Sequence, residues 1–204
     1  MNKMAVLYIH GKGGYAEESE HYKPLFPDHD VIGLDYRGFT PWGAGAEIRT
    51  AVRRLRQRYE AVVLIANSIG AFFSMNGDLC GQIQRAFFIS PILDMERLIL
   101  ERMRSAGISE ADLRSSGMIP MPDGEDLSWQ YLQFVRDHPV SWCVPTEILY
   151  GSADCLTGPE TVRTFAETHH AGLTVMDGGE HWFHTPEQMR FLDAWILEHK
   201  NDGL

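Results

Sequence analysis

The sequence has little cysteine, little positive charge and no long apolar run. Its three cysteines, Cys80, Cys143 and Cys155, are widely spaced with no C-x-x-C pair. They suggest neither a disulfide framework nor a structural zinc site, and no other metal-ligand spacing stands out. Lys and Arg number 18 against 28 Asp and Glu, a net charge of −10. That balance argues against general nucleic-acid binding, which depends on basic surface to neutralise phosphate. No stretch nears the roughly 18 uninterrupted apolar residues of a membrane span. The opening apolar run, 4–9, is too short for a signal h-region, and no small-residue cleavage site follows it. The expectation is a cytoplasmic chain.

What is present reads as one folded domain. The 204 residues suffice for a self-contained core, and 44% hydrophobic content with 5 Trp and 10 Phe speaks against disorder. Six short apolar runs punctuate the chain, at 4–9, 31–35, 61–66, 85–90, 146–150 and 173–177. Most are continuously apolar, as strands covered on both faces are. Helix-like segments lie between them. Residues 47–59 carry Ile48, Val52, Leu55 and Tyr59 at helical spacing, and 158–168 and 186–199 follow the same pattern. Strands alternating with helices predict an α/β fold, a mostly parallel sheet of about six strands with helices on both faces. One connection, 92–144, exceeds what a crossover needs. It holds helix-like 95–105 and 127–137 around a Gly/Pro/Met-rich link at 117–124, and reads as a small helical cap inserted in a single domain spanning 1–204. Its Ile99, Leu100, Met103, Met118, Met121 and Trp129 are expected to roof an apolar pocket or to bury the insertion.

The most informative residues are Ala66-Asn67-Ser68-Ile69-Gly70. A Ser at a strand-to-helix turn, with small residues two positions to either side, is the arrangement of a nucleophile elbow; here Ala66 replaces the first Gly of G-x-S-x-G. Taken alone, Ser68 would read equally well as a helix N-cap. After the first strand comes His10-Gly11-Lys12-Gly13-Gly14, where glycines let backbone N–H groups approach a developing oxyanion. Neither phosphate-binding spacing, G-x-G-x-x-G nor G-x-x-x-x-G-K-[ST], is met there. Tyr150-Gly151-Ser152-Ala153-Asp154 closes the fifth strand, and Gly178-Gly179-Glu180-His181-Trp182 follows the sixth. Each signal lies at the carboxyl side of its own strand, and the order Ser68, Asp154, His181 is the order in which this kind of triad is laid out. Asp177 competes with Asp154 as the acid and His184 with His181 as the base. His10 is expected to support its loop, and His169-His170 to end a helix. Cys155 is expected to pack. Asn67, Lys12 and Trp182 border the cleft, with Trp182 equally readable as a core aromatic.

These stretches, together with Asp35-Tyr36-Arg37-Gly38 after the second strand, resemble the alpha/beta-hydrolase superfamily over nearly the whole chain. The resemblance implies a compact member lacking that fold's first two strands. It further implies an oxyanion hole from the backbone N–H groups of Lys12 and Ile69, with Gly13 as second choice for the former. A Ser–His–Asp triad implies a serine hydrolase that acts on a small-molecule acyl substrate, foremost a carboxylic ester, and requires no cofactor. A thioesterase or peptidase would use the same residues, and a non-catalytic binding protein would have no need of the set.

Overall fold

The computed structural model describes residues 4–200. In chain order the elements are β1 (Met4–Ile9), a 3-10 helix (Ala16–Leu25), β2 (Asp30–Leu34), α1 (Pro41–Arg56), β3 (Ala61–Asn67), α2 (Ile69–Met75) and β4 (Arg85–Ile89). There follow α3 (Met95–Ser105), α4 (Glu110–Ser116), β5 (Met118–Ile119), β6 (Leu127–Ser128) and α5 (Trp129–Asp137). The chain returns through β7 (Thr146–Gly151), α6 (Pro159–His169), β8 (Gly172–Met176) and α7 (Pro186–His199).

Six strands form one sheet in the order β2-β1-β3-β4-β7-β8. Every pairing in it is parallel, so all six carboxyl ends share one edge. The continuous apolar runs follow from burial on both faces. Met4, Val6, Tyr8, Val63, Ile65, Phe87, Ile89 and Leu149 pack on one face with Tyr22 and Leu25 of the 3-10 helix and with Leu192, Trp195 and Ile196 of α7. The alternate residues Ala5, Leu7, Ile9, Val62, Leu64 and Ala66 are just as buried, and α1 and α2 pack over β3 there. The chain thus has the doubly covered parallel sheet that its strand and helix pattern predicts.

Residues Asp94–Ser141 form a compact unit of their own. Its core is Met103, Leu113, Leu127 and Leu132, against which Ile99, Leu100, Met121 and Trp129 pack. Most of the side chains expected to roof a pocket therefore fill this unit's own interior, and Met118 is 57% exposed. A helical unit must bury one stripe of each helix, and these residues are that stripe. The unit is also stapled by charge: Arg136 bridges Glu96 at 2.6 Å and Glu110 at 2.8 Å.

The cysteine expectation is overturned: Cys80 and Cys143 are disulfide-bonded, with their Cα atoms 5.7 Å apart across 63 residues of sequence. Closing a loop of that length restricts the unfolded chain by roughly 4 kcal/mol on the chain-entropy account. Such pairs persist in oxidising compartments and are rare in the cytoplasm. Cys155, expected to pack, is free and exposed. No helix among the described residues is long and apolar enough to cross a membrane.

Two core tyrosines carry a pH signature. The Tyr8 hydroxyl donates to Glu18 Oε2 at 2.6 Å, and its ring lies 5.3 Å from that of Tyr22. Burial is the largest cause holding both phenols well above their ordinary range, with the nearby Glu18 charge acting in the same sense. In the unfolded chain each ionises near pH 10, about its ordinary value. Their contribution is therefore complete below that pH and falls as pH rises above it, by about 1.4 kcal/mol per pH unit for each tyrosine. Urea denaturation from pH 9 to 11 is expected to show this steep loss, and Tyr22→Phe to make it shallower without abolishing it, since Tyr36 and Tyr150 are raised by burial as well.

Candidate active site

At the end of β3 the chain must reverse into α2 within one residue. Ser68 makes that reversal at φ 52°, ψ −121°, a region that costs a non-glycine residue about 1–3 kcal/mol and persists only when the surroundings enforce it. The enforcement is visible. Ser68 N–H donates to Ile89 O, and Ser68 O accepts from the N–H groups of Ala71 and Ile92. Gly70 lies so close to β1 that a Cβ there would stand 2.5 Å from His10 O and 2.8 Å from Ile9 O, which explains the small residue two positions after Ser68. The hydroxyl is thereby held out at the carboxyl edge of the sheet.

His181 and Asp154 arrive at the same edge from loops after β8 and β7. Ser68 Oγ lies 2.8 Å from His181 Nε2, and His181 Nδ1 lies 2.7 Å from Asp154 Oδ2. An ionised carboxylate only accepts, so Nδ1 carries the proton and Nε2 is left to accept from the Ser68 hydroxyl. The Asp154 side chain is fully buried and that of His181 is 17% exposed. Asp154 Oδ1 is engaged separately, accepting from Leu156 N at 2.8 Å and Thr157 N at 3.1 Å. Thr157 in turn donates through Oγ1 to Pro91 O. Each oxygen of the carboxylate thus has its own partners, and the one facing His181 is fixed in direction.

Of the expected competitors, neither joins this line. Asp177 is exposed and accepts from the Ser152 hydroxyl at 3.1 Å. His184 stacks on Trp182, with ring centroids 4.4 Å apart. His169 ends α6 as expected, with His170 in the left-handed conformation after it. Trp182 is not a core aromatic but 69% exposed.

The Gly-rich loop after β1 packs directly on the elbow, since a Cβ on Gly11 would stand 3.2 Å from Ser68 Cβ. The N–H of Gly14 closes a turn onto Gly11 O, and Gly13 sits at φ +73°. Lys12 and Ile69 flank this contact, Ile69 as the first residue of α2, where a helix leaves its N–H groups without intrahelical partners.

His10 supports this loop as expected, and Tyr36 adds a support that the sequence does not announce. The Tyr36 hydroxyl donates to His10 O at 2.9 Å, and its ring lies parallel to the His10 ring at 4.3 Å. His10 Nδ1–H donates in turn to Gly11 O at 2.7 Å. Burial keeps the Tyr36 phenol well above its ordinary range, hence protonated and able to donate. Glu47 of α1 holds the following turn by accepting from the N–H groups of Arg37 and Gly38. The stretch Asp35-Tyr36-Arg37-Gly38 was the signal available, though nothing in it says which side chain reaches the loop. Among the described residues, no group of His, Cys, Asp and Glu is arranged to hold a metal ion.

No family model matches the sequence, and no curated protein matches it either. Solved structures do. Est1E from Butyrivibrio proteoclasticus is 15% identical with a TM-score of 0.75, covering 98% of this chain and 88% of its own. Alpha/beta hydrolase domain-containing protein 10 from mouse is 15% identical with a TM-score of 0.68, covering 97% of this chain and 90% of its own. A thioesterase domain from the curacin biosynthetic pathway is 17% identical with a TM-score of 0.61, covering 96% and 91%. Similarity at this level speaks for the course of the backbone, and by that measure the chain has the alpha/beta-hydrolase fold.

Proposed function

We propose that the protein is a serine hydrolase that cleaves small carboxylic esters through an acyl-enzyme. The observation that carries the reading is the unbroken hydrogen-bonded line from Ser68 Oγ through His181 to Asp154. Ser68 Oγ attacks the acyl carbon as His181 Nε2 takes its proton, and Asp154 stabilises the imidazolium that results. The carbonyl oxygen becomes an oxyanion, received by the backbone N–H groups of Lys12 and Ile69. His181 then passes the proton to the leaving alcohol, and the Ser68 ester remains. Water, deprotonated by the same nitrogen, attacks that ester, and the acid leaves as Ser68 regains its proton. No cofactor enters any step.

The alpha/beta-hydrolase neighbours, a lipase-esterase related protein and a thioesterase domain among them, agree with hydrolysis as the broad class. Choice of an ester over a thioester or amide is the finer part of the reading. A fluorophosphonate probe followed by peptide mapping is expected to mark Ser68 and no other residue. A panel of matched esters, thioesters and amides is expected to show turnover highest on the esters. A folded protein that stays unlabelled overturns the hydrolase reading, and a thioester preference overturns its finer part.

A further inference from the structure

Among the described residues eight large apolar side chains are exposed, and their distribution is uneven. Five of them, Tyr15, Phe39, Trp42, Leu156 and Trp182, follow the carboxyl ends of β1, β2, β7 and β8. In an all-parallel sheet those positions share the edge that carries Ser68, His181 and Asp154. Scattered exposed apolar residues need no explanation, but concentration at one edge marks a surface meant to be covered.

Trp182 stands out within this group. It is the most exposed of the eight at 69%, yet it is not loosely held. His181 before it is tied into the triad, and Phe183 after it is buried. The His184 imidazole lies 4.4 Å from the indole at an interplanar angle of 19°, and His184 Nδ1–H donates to Trp182 O at 2.7 Å. His184 is itself fixed, its backbone N–H donating to Gln188 Oε1 at 3.0 Å. The indole is thus stacked on a ring that is held in place while most of the residue stays open to solvent. A flat surface fixed before binding takes up a planar group with little ordering cost.

The chemistry of acyl transfer says which part of a substrate this face meets. His181 Nε2 must hand its proton to the leaving-group oxygen, so the alcohol portion of an ester departs on the His181 side of Ser68. Trp182 is the next residue in the chain. We infer that Trp182 is a stacking platform for the alcohol portion of the substrate, and that the preferred esters carry an aromatic ring there. This rests on the hydrolase reading above.

The test compares two matched pairs of esters. Benzyl acetate and cyclohexylmethyl acetate differ in whether the alcohol side is planar. Methyl phenylacetate and methyl cyclohexylacetate carry the same contrast on the acyl side. Wild-type protein is expected to favour benzyl over cyclohexylmethyl acetate in kcat/KM. Trp182→Ala is expected to cut that ratio about two- to tenfold, the range for loss of one aromatic pair, and Trp182→Phe to retain most of it. The acyl-side ratio is expected to be the same in all three proteins. Fluorophosphonate labelling of each protein reports whether Ser68 remains activated. Labelling and turnover with no benzyl preference, with an equal loss on both alcohols, or with the change on the acyl pair overturns the platform and leaves the hydrolase reading standing. Absence of both labelling and turnover in folded wild type overturns the two together.

Discussion

Ser68→Ala is expected to abolish turnover of every acyl substrate, a fall of about 10⁶-fold in kcat, and to leave a protein that folds normally. On the proposed mechanism Ser68 Oγ is the atom to which the acyl group transfers, and without it no covalent intermediate forms. What remains is positioning and the oxyanion donors, which retain only a small part of the acceleration. The fold loses one half-buried hydroxyl whose partner is His181 Nε2, about 0.5–1.5 kcal/mol for a single hydrogen bond. The backbone at residue 68 is held by the hydrogen bonds to Ile89, Ala71 and Ile92, none of which involves the side chain. Turnover assays should therefore collapse while the thermal midpoint moves by a few degrees at most. Activity within tenfold of wild type would exclude Ser68 as nucleophile, whatever its distance from His181.

How much of this molecule could be read in advance depended on how local the signal was. β1 and α7 matched their expected limits, and the other sheet strands came within a residue; burial on both faces makes the interior strands continuous apolar runs, while the edge strands β2 and β8 are only partly buried. Helix α1 begins six positions before the expected 47, at Pro41 with Thr40 as its cap. Gly43 and Gly45 masked that first stretch, yet Gly45 belongs there: a Cβ would stand 2.6 Å from Asn76 O at the end of α2. The 3-10 helix at Ala16–Leu25 buries only Ser19, Tyr22 and Leu25 and contains Pro24, too sparse a pattern to register as a periodic face. Helix α4 announces itself only through a capping box between Ser109 and Asp112, in residues 106–116, which no expected element covers.

The disulfide lay beyond any local reading. Cys80 precedes β4 and Cys143 precedes β7, and these strands are neighbours and parallel. Both residues therefore emerge at the amino edge of adjacent strands, a proximity that exists only once the strand order is known. The braces on the Gly-rich loop were hidden for a similar reason. Tyr36 acts on the backbone of the Gly-rich loop and Glu47 on that of the turn holding Tyr36, and backbone acceptors and donors leave no mark in residue type. That Ser68, Asp154 and His181 would meet was legible, because the proposed chemistry demands particular residue types, each at the carboxyl end of its own strand.

Asp154→Asn is expected to lower kcat by about 10⁴-fold, through a change of one atom that alters neither volume nor packing. Asp154 Oδ1 already accepts from Leu156 N and Thr157 N. The asparagine carbonyl takes that position, since only it can satisfy two N–H donors, which turns its NH₂ towards His181 Nδ1. A donor facing Nδ1 forces that nitrogen to accept, so the imidazole proton moves to Nε2. Nε2–H cannot receive the Ser68 proton, and the nucleophile stays neutral. Because the two backbone hydrogen bonds survive, the thermal midpoint is expected to stay close to wild type, separating this loss from a folding defect. Asp177→Asn provides the contrast, for Asp177 is exposed and bonded to Ser152; its kcat should remain within about twofold of wild type, as surface substitutions do. The reverse result, a silent Asp154→Asn with a crippled Asp177→Asn, would transfer the role of the acid to Asp177 and require the β8 loop to rearrange before catalysis.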